Sequence, residues 1–360
     1  MDCCEISNMI VHSWMVTNTK YLFPPENSDL TKETSSSSNS SRCEPHKDNM
    51  DYGNMRMIPQ ECRSDRLCHL WERFKNAIKS FLQYCRSNQL DDSTMQLDST
   101  IETLLQDWFD KLVTLHSDSA RYYHTLSHLE EMFGFTDILT QLPYNNNTDT
   151  NNKLMYLNEV DKATVILAVF FHDAIYHVKS DSNEEDSANL LGDFLCQIKS
   201  ACKSHMDQLQ HCTNNQSQEH EWESFRIRTT SYILATKSHS NENLTLTPQL
   251  SLLLKDEQAH KRYLFCLAIL LDADMAVLGK EPTAYQHYAG AIRKEYEHVP
   301  RDTYCSKRAE ILESFLVSFT NKNKYVFSTI YMKDALEQKA RDNLKQEIIS
   351  LRNGNIPQEN

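Results

Sequence analysis

An all-helical fold is what this sequence predicts, and three observations carry the expectation. Only 6 of its 360 residues are glycine, too few for the tight turns of a sheet protein. Runs of Val, Ile and Thr, which suit a pleated surface, are scarce. Apolar residues recur instead at three- and four-residue steps, the period of a helix face.

The elements follow in order. Residues 1–64 lack that period; Ser35-Ser36-Ser37-Ser38-Asn39-Ser40-Ser41, flanked by Pro24, Pro25 and Pro45, cannot bury enough apolar surface to offset its ordering entropy. Met9, Ile10, Val11, Trp14 and Met15 are more apolar and can dock on a folded body. From Arg66 the stripe Leu67, Leu70, Trp71, Phe74, Ile78, Phe81, Leu82, Cys85 predicts a first helix. Ile101 to Leu115 predicts a second. A third is expected to carry His124 and His128, four positions apart on one face, and to run to Leu139. The polar stretch Asn145 to Asn152 reads as a surface loop. Ala163 to Phe171 is apolar on every side and predicts a buried helix ending at His172-Asp173.

Acidic residues from Asp181 to Asp186 suit a helix start, and that helix runs through Leu195. Residues 200–221 read as a polar connection, with His205, His211 and His220 solvated. Helices are then expected over Phe225–Thr236, Leu250–Leu254, Tyr263–Leu278 (ending at Gly279), Tyr285–Tyr296, Arg308–Leu316 and Met332–Leu351. The organisation expected is a poorly ordered segment 1–64, one helical domain 65–352 and a polar tail 353–360.

Composition narrows the function. A net charge of −13 argues against general nucleic-acid binding. No run approaches the roughly 20 apolar residues that span a bilayer, so no membrane partner is expected. Asp2 and Glu5 stand where a signal peptide would be basic, which predicts a cytoplasmic protein. The 11 cysteines form no C-x-x-C pair and read as reduced. The glycines fit no dinucleotide, phosphate-loop or nucleophile-elbow motif.

What remains is a set of polar residues emerging from apolar surroundings. His172 and Asp173 end a buried helix, His124 and His128 precede them, and Asp272 and Asp274 interrupt another apolar run, Leu270 to Met275. Burying imidazole and carboxylate together is costly unless something pairs with them. A divalent cation is such a partner, because neutral imidazole and ionised carboxylate both donate to it. The segments lie too far apart for a zinc finger, where ligands crowd into short spacings. They suit a bundle whose helices each contribute an inward ligand.

These residues resemble a known family, the HD superfamily of metal-dependent phosphohydrolases, and within it the group of predicted metal-dependent HD phosphohydrolases. The resemblance rests on Tyr123-His124-Thr125-Leu126-Ser127-His128, Phe171-His172-Asp173-Ala174-Ile175-Tyr176, Asn183-Glu184-Glu185 with Ser187-Ala188, and Ile233-Leu234-Ala235-Thr236 with His239. It continues through Asp272-Ala273-Asp274, Tyr288-Ala289, Ile292-Arg293-Lys294-Glu295-Tyr296 and Ala340-Arg341-Asp342-Asn343-Leu344, covering roughly residues 66–350. The histidine pair before His-Asp is also similar to the catalytic core of cyclic-nucleotide phosphodiesterases. Two departures stand out: His177 where related sequences place an Asp, and Lys307-Arg308 where Gly-Arg is expected.

The resemblance implies an HD-type helical bundle with one divalent metal (Mn, Co, Ni, Mg, Fe or Zn) held by His128, His172, Asp173 and Asp274. Asp272 would support or cap. His124 would donate a proton to the leaving group, or hold a second metal with His239; Asp173 and Glu184 join it as candidate catalytic groups. Arg121, Lys237, His239 and Arg293 are candidates for binding a small phosphorylated substrate of nucleotide type. Plainer roles compete: a hydrogen-bonded core position for His124, helix capping for His239, dipole partners for Glu184 and Glu185, ion pairs for Arg121 and Arg293, and a solvated charge for Lys237. A ligand-sensing protein on the same scaffold and a di-iron oxygenase are the alternative functions.

Overall fold

The computed structural model describes residues 60–86, 97–144, 154–208, 215–238, 248–254, 256–320 and 325–357. Most of the expected N-terminal segment, the Asn-rich loop and His239 lie outside the described residues. Among those described there are 11 α-helices and no strand, so the all-helical expectation holds. They are α1 (Gln60–Arg86), α2 (Ser99–His116), α3 (Leu126–Leu139), α4 (Glu159–Phe171), α5 (Asn183–Gln208), α6 (Asn215–Thr236), α7 (Pro248–Leu253), α8 (Glu257–Met275), α9 (Pro282–Glu295), α10 (Arg301–Thr320) and α11 (Ile330–Arg352). A 3-10 turn, Ala276–Gly279, links α8 to α9. No described helix is long and apolar enough to cross a membrane.

The bundle is built around α4, which packs against α1, α3, α5, α6 and α8. Ten of its 13 residues are buried, which is what an all-round apolar helix must achieve. Its start is fixed by a capping box. Asn158 accepts the Asp161 amide at 2.8 Å, and the Asp161 carboxylate accepts the Asn158 amide at 3.3 Å. Asp161 is 2% exposed, and Arg228 of α6 neutralises it at 2.9 Å. Around the other end, Phe74, Phe170, Phe171 and Phe194 are fully buried with Trp108 and Phe109 beside them. Each phenyl ring removed from water contributes roughly 1.5 to 3 kcal/mol. This cluster holds the end of α4, and with it His172, in one place.

Two sequence expectations change. The third helix begins at Leu126, not before His124. Thr125 is its N-cap, with extended backbone (φ −114°, ψ 179°) and a side chain accepting the Ser127 amide. His124 therefore sits in the segment ahead of the helix, and the two histidines do not share a helical face. The polar connection over 200–221 is also shorter than expected, because α5 continues to Gln208 and α6 begins at Asn215. These two helices pack on each other, and that tertiary contact sustains helix where the sequence offers few apolar residues. His220 is exposed, as expected.

Candidate metal centre

His172 is the C-cap of α4, its amide donating to the Ala168 carbonyl at 2.9 Å. The chain then turns through Asp173 and Ala174. Arg121 holds this turn, donating to the carbonyls of Asp173 (2.7 Å) and Ala174 (2.9 Å), and to that of His124 (3.2 Å). The Ser187 hydroxyl on α5 closes the far side by pairing with both backbone groups of Ile175. His116 steadies Arg121 from behind, with Nδ1 at 3.3 Å from the guanidinium and Nε2 at 3.2 Å from the Phe170 carbonyl. Burial, then the Arg121 charge, push the His116 pKa down to about 3, so this imidazole is neutral. Arg121 is thus an 8% exposed clamp on backbone carbonyls.

Three donors converge beside the turn. Single ligand atoms of His128, His172 and Asp274 lie within 4.8 Å of one another. His128 Nε2 is 3.2 Å from Asp274 Oδ1, and His172 Nε2 is 3.9 Å from the same oxygen. Donors about 2.1 Å from one cation stand roughly 3 to 4 Å apart, so these separations fit. Asp173 stands outside this triple but next to it, with Oδ2 at 3.0 Å from His172 Nε2.

The chemistry of these donors is of a kind that could hold a metal ion. His172 Nδ1–H donates to the Val169 carbonyl at 2.9 Å, which leaves Nε2 of the neutral ring with its lone pair facing two carboxylates. His172 Nε2 and both ring nitrogens of His128 are buried without a hydrogen-bond partner. Lone pairs and carboxylate oxygens facing one another repel unless a proton or a metal ion lies among them. The pKa of His172 reports that demand. Burial opposes its charge, but Asp173 and Asp274 outweigh burial and lift it to about 9. Burial likewise opposes the charge on Asp173, yet His172 and His124 hold its carboxyl well below the usual range.

His124 approaches from the more open side. Its Nε2 is 4.0 Å from Asp173 Oδ2, and its Nδ1–H donates to Glu295 Oε2 at 2.7 Å. Glu295 Oε1 meanwhile accepts the amides of Tyr122, Tyr123 and His124 at 2.8, 2.7 and 3.1 Å. The Tyr176 hydroxyl completes the knot at 3.1 Å, its ring stacked 4.1 Å from the His124 ring. Burial would lower the His124 pKa, but the Glu295 hydrogen bond and the Asp173 charge raise it. Glu295 itself is held down to about 2, against burial, by His124 and the backbone amides.

The remaining sequence candidates occupy other positions. Asp272 is 1% exposed and accepts the amides of Ser328 (2.6 Å) and Thr329 (2.8 Å), capping the approach to α11. Arg293 donates to the Tyr296 and Val299 carbonyls and lies over the Tyr304 ring. Lys237 is exposed and pairs with Glu185 at 2.7 Å. Glu184 is half-buried in the first turn of α5. Glu295 and Tyr176 lie within the sequence motifs, and spacing alone assigns them no role. The signal for Glu295 would have been a carboxylate in the last turn of a helix, where the dipole disfavours it unless donors from elsewhere meet it. A groove of about 520 Å³ between α1, α3 and α4 is lined by none of the site residues. No protein-family model matches this sequence, and no curated protein does so either.

Proposed function

We propose that this protein is a metal-dependent phosphohydrolase acting on a small phosphorylated substrate, a nucleotide-type mono- or diester. The single observation that supports it most is the convergence of His128 Nε2 and His172 Nε2, both buried without a hydrogen-bond partner, on the less buried Asp274 Oδ1. These three would hold a divalent ion, with the Asp173 carboxylate as an adjoining fourth donor. Such an ion supplies a bound water of lowered pKa and polarises a phosphoryl oxygen. The resemblance to HD phosphohydrolases points to the same class.

The chain's own groups divide the remaining work. Asp173, between the donors and His124, is positioned to orient a water and accept its proton. His124, aligned by Glu295 and Tyr176, presents Nε2–H to a leaving oxygen as general acid. The side chains of His124, Asp173 and Asp274 are 17, 17 and 12% exposed, against 1 to 2% for His172 and His128. Substrate would therefore enter over His124 and Asp173, with the imidazole ligands at the floor.

The test is phosphate release from a panel of phosphomonoesters and phosphodiesters, with Mn²⁺, Co²⁺, Ni²⁺ or Mg²⁺ added to chelator-treated protein. Metal-restored turnover on part of the panel is expected. Metal binding without turnover on any member would sink the hydrolase reading and favour a ligand-binding protein.

A further inference from the structure

The three histidines around the centre differ in what fixes their rings. His172 Nδ1 is tied to the Val169 carbonyl and His124 Nδ1 to Glu295. Neither ring nitrogen of His128 has a hydrogen-bond partner, although it is 3% exposed. A ligating imidazole ordinarily donates its other N–H to an acceptor that fixes its tautomer and orientation.

Glu131 and Tyr123 each carry a further orphan polar atom. Glu131 follows His128 by three positions on α3, the spacing that puts two side chains on one face. Its Oε2 is held by Lys280 at 2.6 Å, while its Oε1 is buried without a partner. The Tyr123 ring packs 4.7 Å from the His128 ring, and its hydroxyl is also buried without a partner. A water molecule can be held in the interior where two to four polar groups meet it.

We infer that Glu131 is the positioning residue for His128: a buried water held by Glu131 Oε1 and the Tyr123 hydroxyl accepts the Nδ1–H of His128, leaving Nε2 free to ligate. Lys280 pairs with the other carboxylate oxygen, Oε2, and leaves Oε1 for this water. The inference rests on the proposed metal centre for its purpose, but not for its test.

That test has two parts. Long-range ¹H–¹⁵N spectra of histidine-labelled, metal-free protein read the His128 tautomer directly. The Nδ1–H form is expected in the wild type, and the Nε2–H form would overturn the inference whether or not the protein binds metal. The second part is titration with Mn²⁺ alone. Glu131→Leu should weaken Mn²⁺ binding about 10- to 100-fold, while Glu131→Gln, which keeps an acceptor oxygen, recovers most of it. Lys280→Met should leave affinity within about threefold of wild type. An equal loss in Lys280→Met, or none in Glu131→Leu, would show that Glu131 serves only its ion pair. A wild type that binds no Mn²⁺ but shows the Nδ1–H tautomer would fail the metal reading and leave Glu131 in its role.

Discussion

Glu295 and His124 stand 171 positions apart in the chain, and their side chains meet at 2.7 Å. The same carboxylate gathers three consecutive amides from the segment ahead of α3, so the chain entering the site is fixed by one residue of α9. On the proposed function, Glu295→Gln should lower turnover about 10- to 100-fold with metal content unchanged, because it misaligns the proposed general acid without touching a proposed ligand. Glu295→Ala, which strands those amides beside a buried imidazole, should also lose about 3 to 5 kcal/mol in urea unfolding. Wild-type stability in the alanine variant would mean the knot is not formed.

Arg121, a candidate for substrate phosphate, spans the carbonyls of Asp173 and Ala174 with its guanidinium. Lysine cannot reproduce this fork. Arg121→Lys should cost about 1 to 3 kcal/mol in chemical denaturation and weaken metal binding by loosening the His172 turn. A change in substrate KM alone, with stability and metal binding intact, would return Arg121 to the substrate.

Acid should unfold the protein through two depressed pKa values. His116, ordinarily near 6.5 and held at about 3, binds its proton more readily in the unfolded chain. Its contribution is therefore complete above about pH 6.5 and is lost as pH falls toward 3. Glu295, held at about 2, contributes above about pH 4.3 and loses it as pH falls toward 2. Denaturation midpoints measured from pH 7 to 3 should fall steadily, and less steeply below pH 6.5 in His116→Gln. Identical slopes in the two proteins would contradict the assignment of His116.

Gly279 closes the 3-10 turn after the helix that carries Asp274. A methyl group there would stand 2.6 Å from Leu336 Cβ and 3.2 Å from the Leu336 carbonyl, neither of which can swing away. Gly279→Ala should cost about 1 to 3 kcal/mol and lower the melting temperature. A neutral substitution would mean α11 gives way freely.

Much of this was legible in the sequence because it is local. The apolar period of Leu67 to Cys85 and the all-round apolar run before His172 each state a helix and its burial, and His128, His172 and Asp274 stood out as polar groups within such runs. What was not legible depends on distant partners. Glu295 gains its meaning only when α9 meets the segment 121–125, and Asp272 only when the chain returns at Ser328. His124 was expected on α3 because its spacing to His128 is helical. The capping preference of Thr125, which is local, could have corrected that.

The central claim is a metal held by His128, His172 and Asp274, and elemental analysis of purified protein tests it most directly. Mass spectrometry of the wild type, His172→Ala, Asp274→Ala and His124→Ala, after equilibration with Mn²⁺ and desalting, reads occupancy without reference to any substrate. About one ion per chain is expected in the wild type and in His124→Ala, and essentially none in the other two, by the loss of a ligand. A wild type without metal, or full occupancy in His172→Ala, would contradict the account.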